Sequence, residues 1–256
     1  MAVLQWAATT DASANREVLA QRLNALEGNL DLVVLPEASM VDFGSPDFDL
    51  AAVAETLDGA FVAFLAGHAQ RLGTTIIAGM FEQTEALPLN TLVAVGPDGL
   101  LRVTYRKIHL YDSFGYRESD RLTPGPLELT TFEVAGMTLG LMTCYDLRFP
   151  ELARALVDAG ADVLVVPAAW VAGERKRDHW RALTAARAIE NTVFVLAAAQ
   201  GGERYTGHSL VWDPAGEVMA EAGAGDETLI VDLDRQRLSS VREVNPSLVN
   251  RRWDNR

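Results

Sequence analysis

Three residues with chemistry to offer each stand where an apolar run ends. Cys144 is the single cysteine of the 256-residue chain and lies in "TLGLMTCYDLRFPELARALVDAG" (138–160). The apolar run stops there, and Pro150 opens a helical pattern at its tolerated first position. A thiol on a strand-to-helix turn is held rigidly, and nearby backbone N–H groups can hold a developing oxyanion. The plain alternative is a buried, inert cysteine. Glu37 follows the run "LVVLP", and Lys107 ends "VTYRK". A thiol nucleophile needs a base and a charge stabiliser. A carboxylate among apolar neighbours suits the first role. An ammonium favours a thiolate and can neutralise a tetrahedral oxyanion.

Four histidines compete for the role of base. His68 falls on the stripe Phe61–Leu65–Leu72, and His179 opens a helix beside Trp180. His208 begins a hairpin strand. His109, just after "YRK", is the best placed for a Cys/His pair, with ordering of its own loop as the other reading. Residue types and spacing leave both bases open.

The elements that must position these residues alternate along the chain. Strands are expected at "VLQW", "LVVLP", "TTIIAGMF", "ADVLVVP" and "TVFVLAAAQ". Hairpins are expected in 90–107 and 208–221, and further strand in 131–144. Helices are expected over 14–26, 58–73, from Pro150, and over 178–190. No linker or low-complexity segment divides the sequence, so residues 1–256 read as one α/β domain. "LDLVVLPEAS" (30–39) echoes "ADVLVVPAAW" (161–170), which suggests two related sheets with helices outside. The long loops at 41–50 and 109–126 are candidate site walls. The acidic "VDFGSPDFD" within the first is a candidate lid.

Composition excludes several classes. With 22 basic and 35 acidic residues the net charge is −13, which argues against nucleic acid or an anionic membrane as main partner. One cysteine makes neither an intrachain disulfide nor a thiolate zinc cluster. No apolar run approaches a membrane span, and the N-terminus lacks a basic leader region, so a cytoplasmic protein is expected.

"VVLPEAS", "YRKIHLYDSFGYRES" and "MTCYDLRFPEL" resemble the three signature segments of the nitrilase superfamily, the carbon–nitrogen hydrolases. "HWRALTAARAIENTVFVLAAAQ" and "GHSLVWDPAGEV" resemble its later segments, in the family's order. The resemblance implies an α-β-β-α sandwich of two packed mixed sheets with outer helices. It also implies a Glu–Lys–Cys triad: Glu37 as general base, Lys107 as oxyanion stabiliser and Cys144 as nucleophile. A further family glutamate maps to Glu118, and the Tyr145 backbone N–H becomes the second oxyanion donor. No metal or organic cofactor is implied. The reaction implied is thioester-mediated hydrolysis of an amide.

Within the superfamily, "CYDLRFPE" with "RKIHLYD" looks closest to small amidases, the omega-amidases and amidases of deaminated glutathione. That implies a small amide bearing a carboxylate. The run "GERKRDHWR" places Arg175, Lys176, Arg177 and Arg181 close after "VVPAAW", where one of them can hold such a carboxylate. Arg148 is expected instead to tie the nucleophile turn by hydrogen bonds. A carbamoyl-amino-acid hydrolase, a nitrilase and a non-catalytic scaffold on the same fold are the alternatives. The tail "VNPSLVNRRWDNR", with Trp253 as anchor, fits the homodimer common in the family.

Overall fold

The computed structural model describes residues 1–253. The first sheet takes β1 (Ala2–Gln5), β2 (Leu32–Val34), β3 (Thr75–Glu82), β4 (Leu89–Val95) and β5 (Leu101–Arg106). A small hairpin of β6 (Asp112–Ser113) and β7 (Tyr116–Arg117) follows. The second sheet takes β8 (Thr131–Val134), β9 (Met137–Leu141), β10 (Val163–Ala168), β11 (Phe194–Ala199), β12 (Leu210–Trp212) and β13 (Val218–Glu221). Then β14 (Glu227–Ile230) returns to the first sheet beside β1. The helices are α1 (Ala12–Asn24), α2 (Leu50–Val53), α3 (Ala60–Leu72), α4 (Pro150–Asp158), α5 (Lys176–Asn191) and α6 (Arg235–Val244).

The two six-stranded sheets have orders β14-β1-β2-β3-β4-β5 and β13-β12-β11-β10-β9-β8. Read from β14 and from β8, the pairings run identically: antiparallel, parallel, parallel, antiparallel, antiparallel. β2 and β10 hold the same place in this pattern, so the echo between 30–39 and 161–170 marks equivalent strands.

Successive residues of a strand face opposite sides, and here both sides are buried. Leu32 and Val34 pack between the sheets with Val163 and Val165. Val33 turns outward to Leu19 and Leu23 of α1 and to Phe61 and Leu65 of α3. Leu164 and Val166 turn the other way, to Leu156 of α4 and Trp180 of α5. The layers are therefore α-β-β-α, as the resemblance implies.

Local signals fix the helix ends. The Asp11 side chain accepts from the N–H groups of Ser13 and Ala14 at 2.9 and 3.0 Å and starts α1. Gly73, at φ +64°, closes α3 in the left-handed region. The short α2 and the β6–β7 hairpin fall outside the expectations above, and so do β14 and α6. β14 has one buried residue, Leu229, and its partner β1 lies at the other end of the chain. α6 buries only Leu238 and Val241, too thin a stripe for periodicity to reveal.

Candidate active site

Glu37 follows β2 on a tight left-handed turn, with Ala38 at φ +55°. Two contacts force this turn. Gly79 of β3 passes so close that a Cβ there would meet Ala38 N at 2.6 Å and the Glu37 Cα at 2.7 Å. Gln200, just past β11, donates from Nε2 to the carbonyls of Glu37 and Ala38 at 2.9 and 3.1 Å. The fully buried Glu37 carboxylate then crosses between the sheets. Its Oε2 accepts from the Ala169 N–H, just past β10, at 2.6 Å.

Cys144 opens a short 3-10 turn (Cys144–Arg148) with its own φ at +46°, strained for a non-glycine residue. Asp146 over-determines that turn. Its Oδ2 accepts from Thr143 N at 2.9 Å and from the Tyr105 hydroxyl at 2.6 Å. Its Oδ1 accepts from His109 N at 3.1 Å and lies 2.7 Å from His109 Nδ1. The His109 ring stacks on Phe149 at 3.7 Å. His109 thus faces Asp146 behind the turn.

Lys107, at the end of β5, is 2 % exposed. Its Nζ donates to Glu37 Oε1 at 3.0 Å and to Glu118 Oε1 and Oε2 at 3.1 and 2.9 Å. Glu118 sits in a 3-10 turn (Glu118–Asp120) and also accepts from the Tyr111 N–H at 2.6 Å. The structure therefore brings Glu37, Lys107, Glu118 and Cys144 together on one cavity wall.

Burial pulls the Lys107 pKa down, but Glu118, then Glu37 and the thiol, outweigh it and hold the ammonium well above the usual lysine range. Burial raises the Glu118 carboxyl, and Lys107 offsets that only in part. Burial and then Glu37 push the Cys144 thiol well above its ordinary value against the pull of Lys107. The ammonium does favour the thiolate, as expected, but burial and the Glu37 charge outweigh it. Attack by such a thiol would need a base to take its proton.

The cavity has a volume of about 290 Å³. Its walls are largely aromatic, with Phe43, Tyr111, Phe114, Tyr145, Trp170 and Tyr205. Two cations stand in it without a carboxylate within salt-bridge distance among the described residues. Lys176 Nζ donates to the Tyr111 hydroxyl at 2.9 Å and lies 3.7 Å from the Phe114 ring centroid. The Arg148 guanidinium lies 5.0 Å from the Trp170 ring centroid, and its Nε is buried with no hydrogen-bond partner.

The basic run 175–181 divides accordingly. Lys176 faces the cavity. Arg175 pairs with Asp178 on the surface, and Arg177 and Arg181 pair with Glu221. α5 starts at Lys176, and neighbours on a helix point about 100° apart. One residue of the consecutive three can therefore face inward. Arg148 is also corrected: it lines the cavity, while Arg187 ties the nucleophile turn by donating to the Leu147 carbonyl at 2.6 Å. Over 41–44 the loop after Glu37 forms part of the cavity wall. Those residues are buried, Arg121 donates to the Phe43 and Phe48 carbonyls, and Asp42 binds both Arg204 and Tyr205.

Residue type and spacing do not single out Asn90, Ala169, Gln200 or Tyr111. Asn90 does carry a local mark, an amide at the head of the apolar run "NTLVAV". The other contacts arise between distant segments and have no local mark. Among the described residues no group of three or more His, Cys, Asp or Glu side chains is placed to hold a metal ion. No helix among them is long and apolar enough to cross a membrane.

In this fold one cavity is lined by a thiol, an ammonium and two carboxylates. The chain belongs to the carbon–nitrogen hydrolase family, whose sequence profile matches residues 1–243, and it is a hydrolase acting on non-peptide carbon–nitrogen bonds. It is similar to the deaminated glutathione amidase of Escherichia coli O157:H7, at 39% identity over 97% of this chain and 95% of the relative. The omega-amidase NIT2 of Danio rerio is 35% identical over 87% of this chain and 83% of the relative. Among solved structures, the CN-hydrolase superfamily protein XC1258 from Xanthomonas campestris superposes with a TM-score of 0.90. That match is at 30% identity and covers 99% of this chain and 97% of that one. The Xanthomonas protein carries an arsenic adduct in its active site.

Proposed function

We propose that residues 1–256 act as one domain, a thiol-dependent amidase that converts a small carboxylate-bearing amide into its acid and ammonia. The observation that carries the reading is the single Lys107 ammonium shared by two buried carboxylates beside the single thiol of the chain. Glu37 takes the thiol proton as Cys144 Sγ attacks the amide carbon. A lysine ammonium has three protons to donate. Once Glu37 is protonated its hold on Nζ weakens, and Lys107 turns a proton toward the new oxyanion. The Tyr145 backbone N–H, in the first turn after the nucleophile, is the second donor. Glu118 keeps Nζ in place meanwhile. Glu37 returns its proton to the departing nitrogen, leaving a thioester. It then activates water, and the carboxylic acid leaves.

Lys176 and Arg148 supply the substrate preference. Burial first, and then Arg148, lower the Lys176 pKa, so an arriving carboxylate relieves a cation held near a like charge. The names of the Escherichia and Danio relatives support a substrate of this kind. Ammonia release from a glutaramate-like amide, its neutral methyl-ester analogue, a carbamoyl amino acid and a simple nitrile tests the assignment, with Cys144→Ala as blank. The free acid is expected to be the best substrate. Lys176→Met and Arg148→Met are each expected to raise KM for the acid roughly 10- to 100-fold, with little change for the methyl ester. Equal losses on both substrates would sink the carboxylate assignment.

We also infer a homodimer in the reducing cytoplasm, where a free thiol persists. Val244 and Val249, at the end of α6 and in the tail beyond it, are 87% and 85% exposed, and Trp253 is 81% exposed, which fits a covered face. Residues 254–256 of the tail lie outside the described residues. Light scattering is expected to give twice the 27.8 kDa chain mass. A monomer at micromolar concentration counts against this assembly.

A further inference from the structure

Two carboxylates share one ammonium in this site, and a third group completes the arrangement. Asn90, on β4, is 1% exposed. Its Nδ2 donates to Glu37 Oε1 at 2.7 Å and to Glu118 Oε1 at 3.2 Å. These are the same two oxygens that Lys107 Nζ approaches at 3.0 and 3.1 Å. The Asn90 carbonyl also accepts from the Lys107 backbone N–H at 2.8 Å. One residue therefore touches all three charged members. The amide orientation is forced, because the opposite flip would set Oδ1 against two carboxylate oxygens. That orientation leaves Oδ1 buried without a hydrogen-bond partner, an unfavourable feature that a purely structural residue would not be expected to keep.

We propose that Asn90 is a positioning residue that bridges Glu37 and Glu118 and holds both carboxylates around a single lysine. Hydrogen bonds to the charged form of a carboxylate favour that form. An amide gives this second pair of bonds without adding a second positive charge, so no further cation competes with Lys107 for the oxyanion. The Cys144 thiol is also hydrogen-bonded to Glu37, and two backbone N–H groups donate as well, that of Ala169 to Glu37 and that of Tyr111 to Glu118. These N–H groups fix one oxygen of each carboxylate. Asn90 and Lys107 each donate to both oxygens of the facing pair.

The inference rests on the amidase reading above, and its test separates the two. The pH dependence of kcat/KM is measured for the wild type, Asn90→Ala, Asn90→Asp and Glu37→Gln. Losing the amide is expected to move the acid limb of Asn90→Ala upward by about one pH unit. Activity then falls roughly tenfold below that limb and recovers toward the wild-type level above it. Asn90→Asp keeps the side-chain shape, so it serves if the alanine variant does not fold. Its third carboxylate is expected to move the limb further in the same direction. A merely structural role would depress activity at every pH and leave the limb in place, and an unmoved limb in the folded variants overturns the proposal. If the wild type hydrolyses no amide, or Glu37→Gln keeps full activity, the amidase reading itself fails and takes the Asn90 role with it. If those two behave as expected and the Asn90 limbs stay put, the Asn90 role alone fails.

Discussion

Glu37→Gln is expected to lower kcat/KM roughly 10³-fold while making the Cys144 thiol easier to ionise. The two effects point in opposite directions for one physical reason. The wild-type thiol is held in its protonated form by burial first and by the Glu37 charge second. Glutamine removes that charge and leaves Lys107 in place, so the thiol pKa falls. A larger thiolate fraction would ordinarily mean a faster nucleophile. Turnover nonetheless collapses, because glutamine neither carries the proton to the departing nitrogen nor activates water at the thioester. Iodoacetamide labelling as a function of pH reads the first effect, and ammonia release reads the second. His109→Ala is the necessary companion. Its ring stacks on Phe149 and faces Asp146 behind the nucleophile turn. Its loss is expected to loosen the turn and cost much less than the Glu37 change. Were His109→Ala inactive and Glu37→Gln active, the histidine would be the base.

What the sequence disclosed about this site follows the reach of each interaction. Glu37, Lys107 and Cys144 were visible because each sits at the boundary of an apolar run, which is a local pattern. Choosing glutamate and lysine over His109 took the family resemblance, since nothing in the spacing shows that His109 is turned toward Asp146. The equivalence of β2 and β10 was audible because buried parallel strands repeat the same apolar content. β14 and α6 were silent because their pairing and packing are made with segments far away in the chain. The basic run 175–177 was legible as a cluster of charge, but not as a direction. The start of α5 at Lys176 decides which side chain turns inward, and a shift of one residue would have chosen another. The net upward shift of the thiol had a similar origin. Strand-end position and the resemblance put an ammonium near it, but the balance against two carboxylates and full burial exists only in three dimensions.

Lys107→Met tests the other half of the site, and both stability and turnover should respond. Breaking a buried ion pair by removing one partner costs about 3–5 kcal/mol, because the remaining charge is left uncompensated. Here two carboxylates are left, joined only through Asn90. The lysine pKa is raised in the folded state, so its contribution is complete below the unfolded lysine value and fades only as pH climbs through the folded one. Across the neutral range the wild type keeps the whole of it, and the variant has none. The Glu118 carboxyl is already raised by burial, and without the ammonium it rises further. A carboxyl whose folded pKa exceeds its unfolded value contributes stability that is lost as pH rises through the folded value. The variant's deficit is therefore expected to be smaller near about pH 5 than near about pH 8, and urea unfolding at the two values measures the difference. Turnover is expected to fall by about 10²- to 10³-fold or more, the usual consequence of losing an oxyanion donor. Lys107→Arg should not restore it, since a planar guanidinium is poorly matched to a buried site shaped for a compact ammonium. A methionine variant with wild-type stability at both pH values would mean that the two glutamates do not depend on this lysine for their charge. The catalytic reading of the cluster would then lose its electrostatic basis.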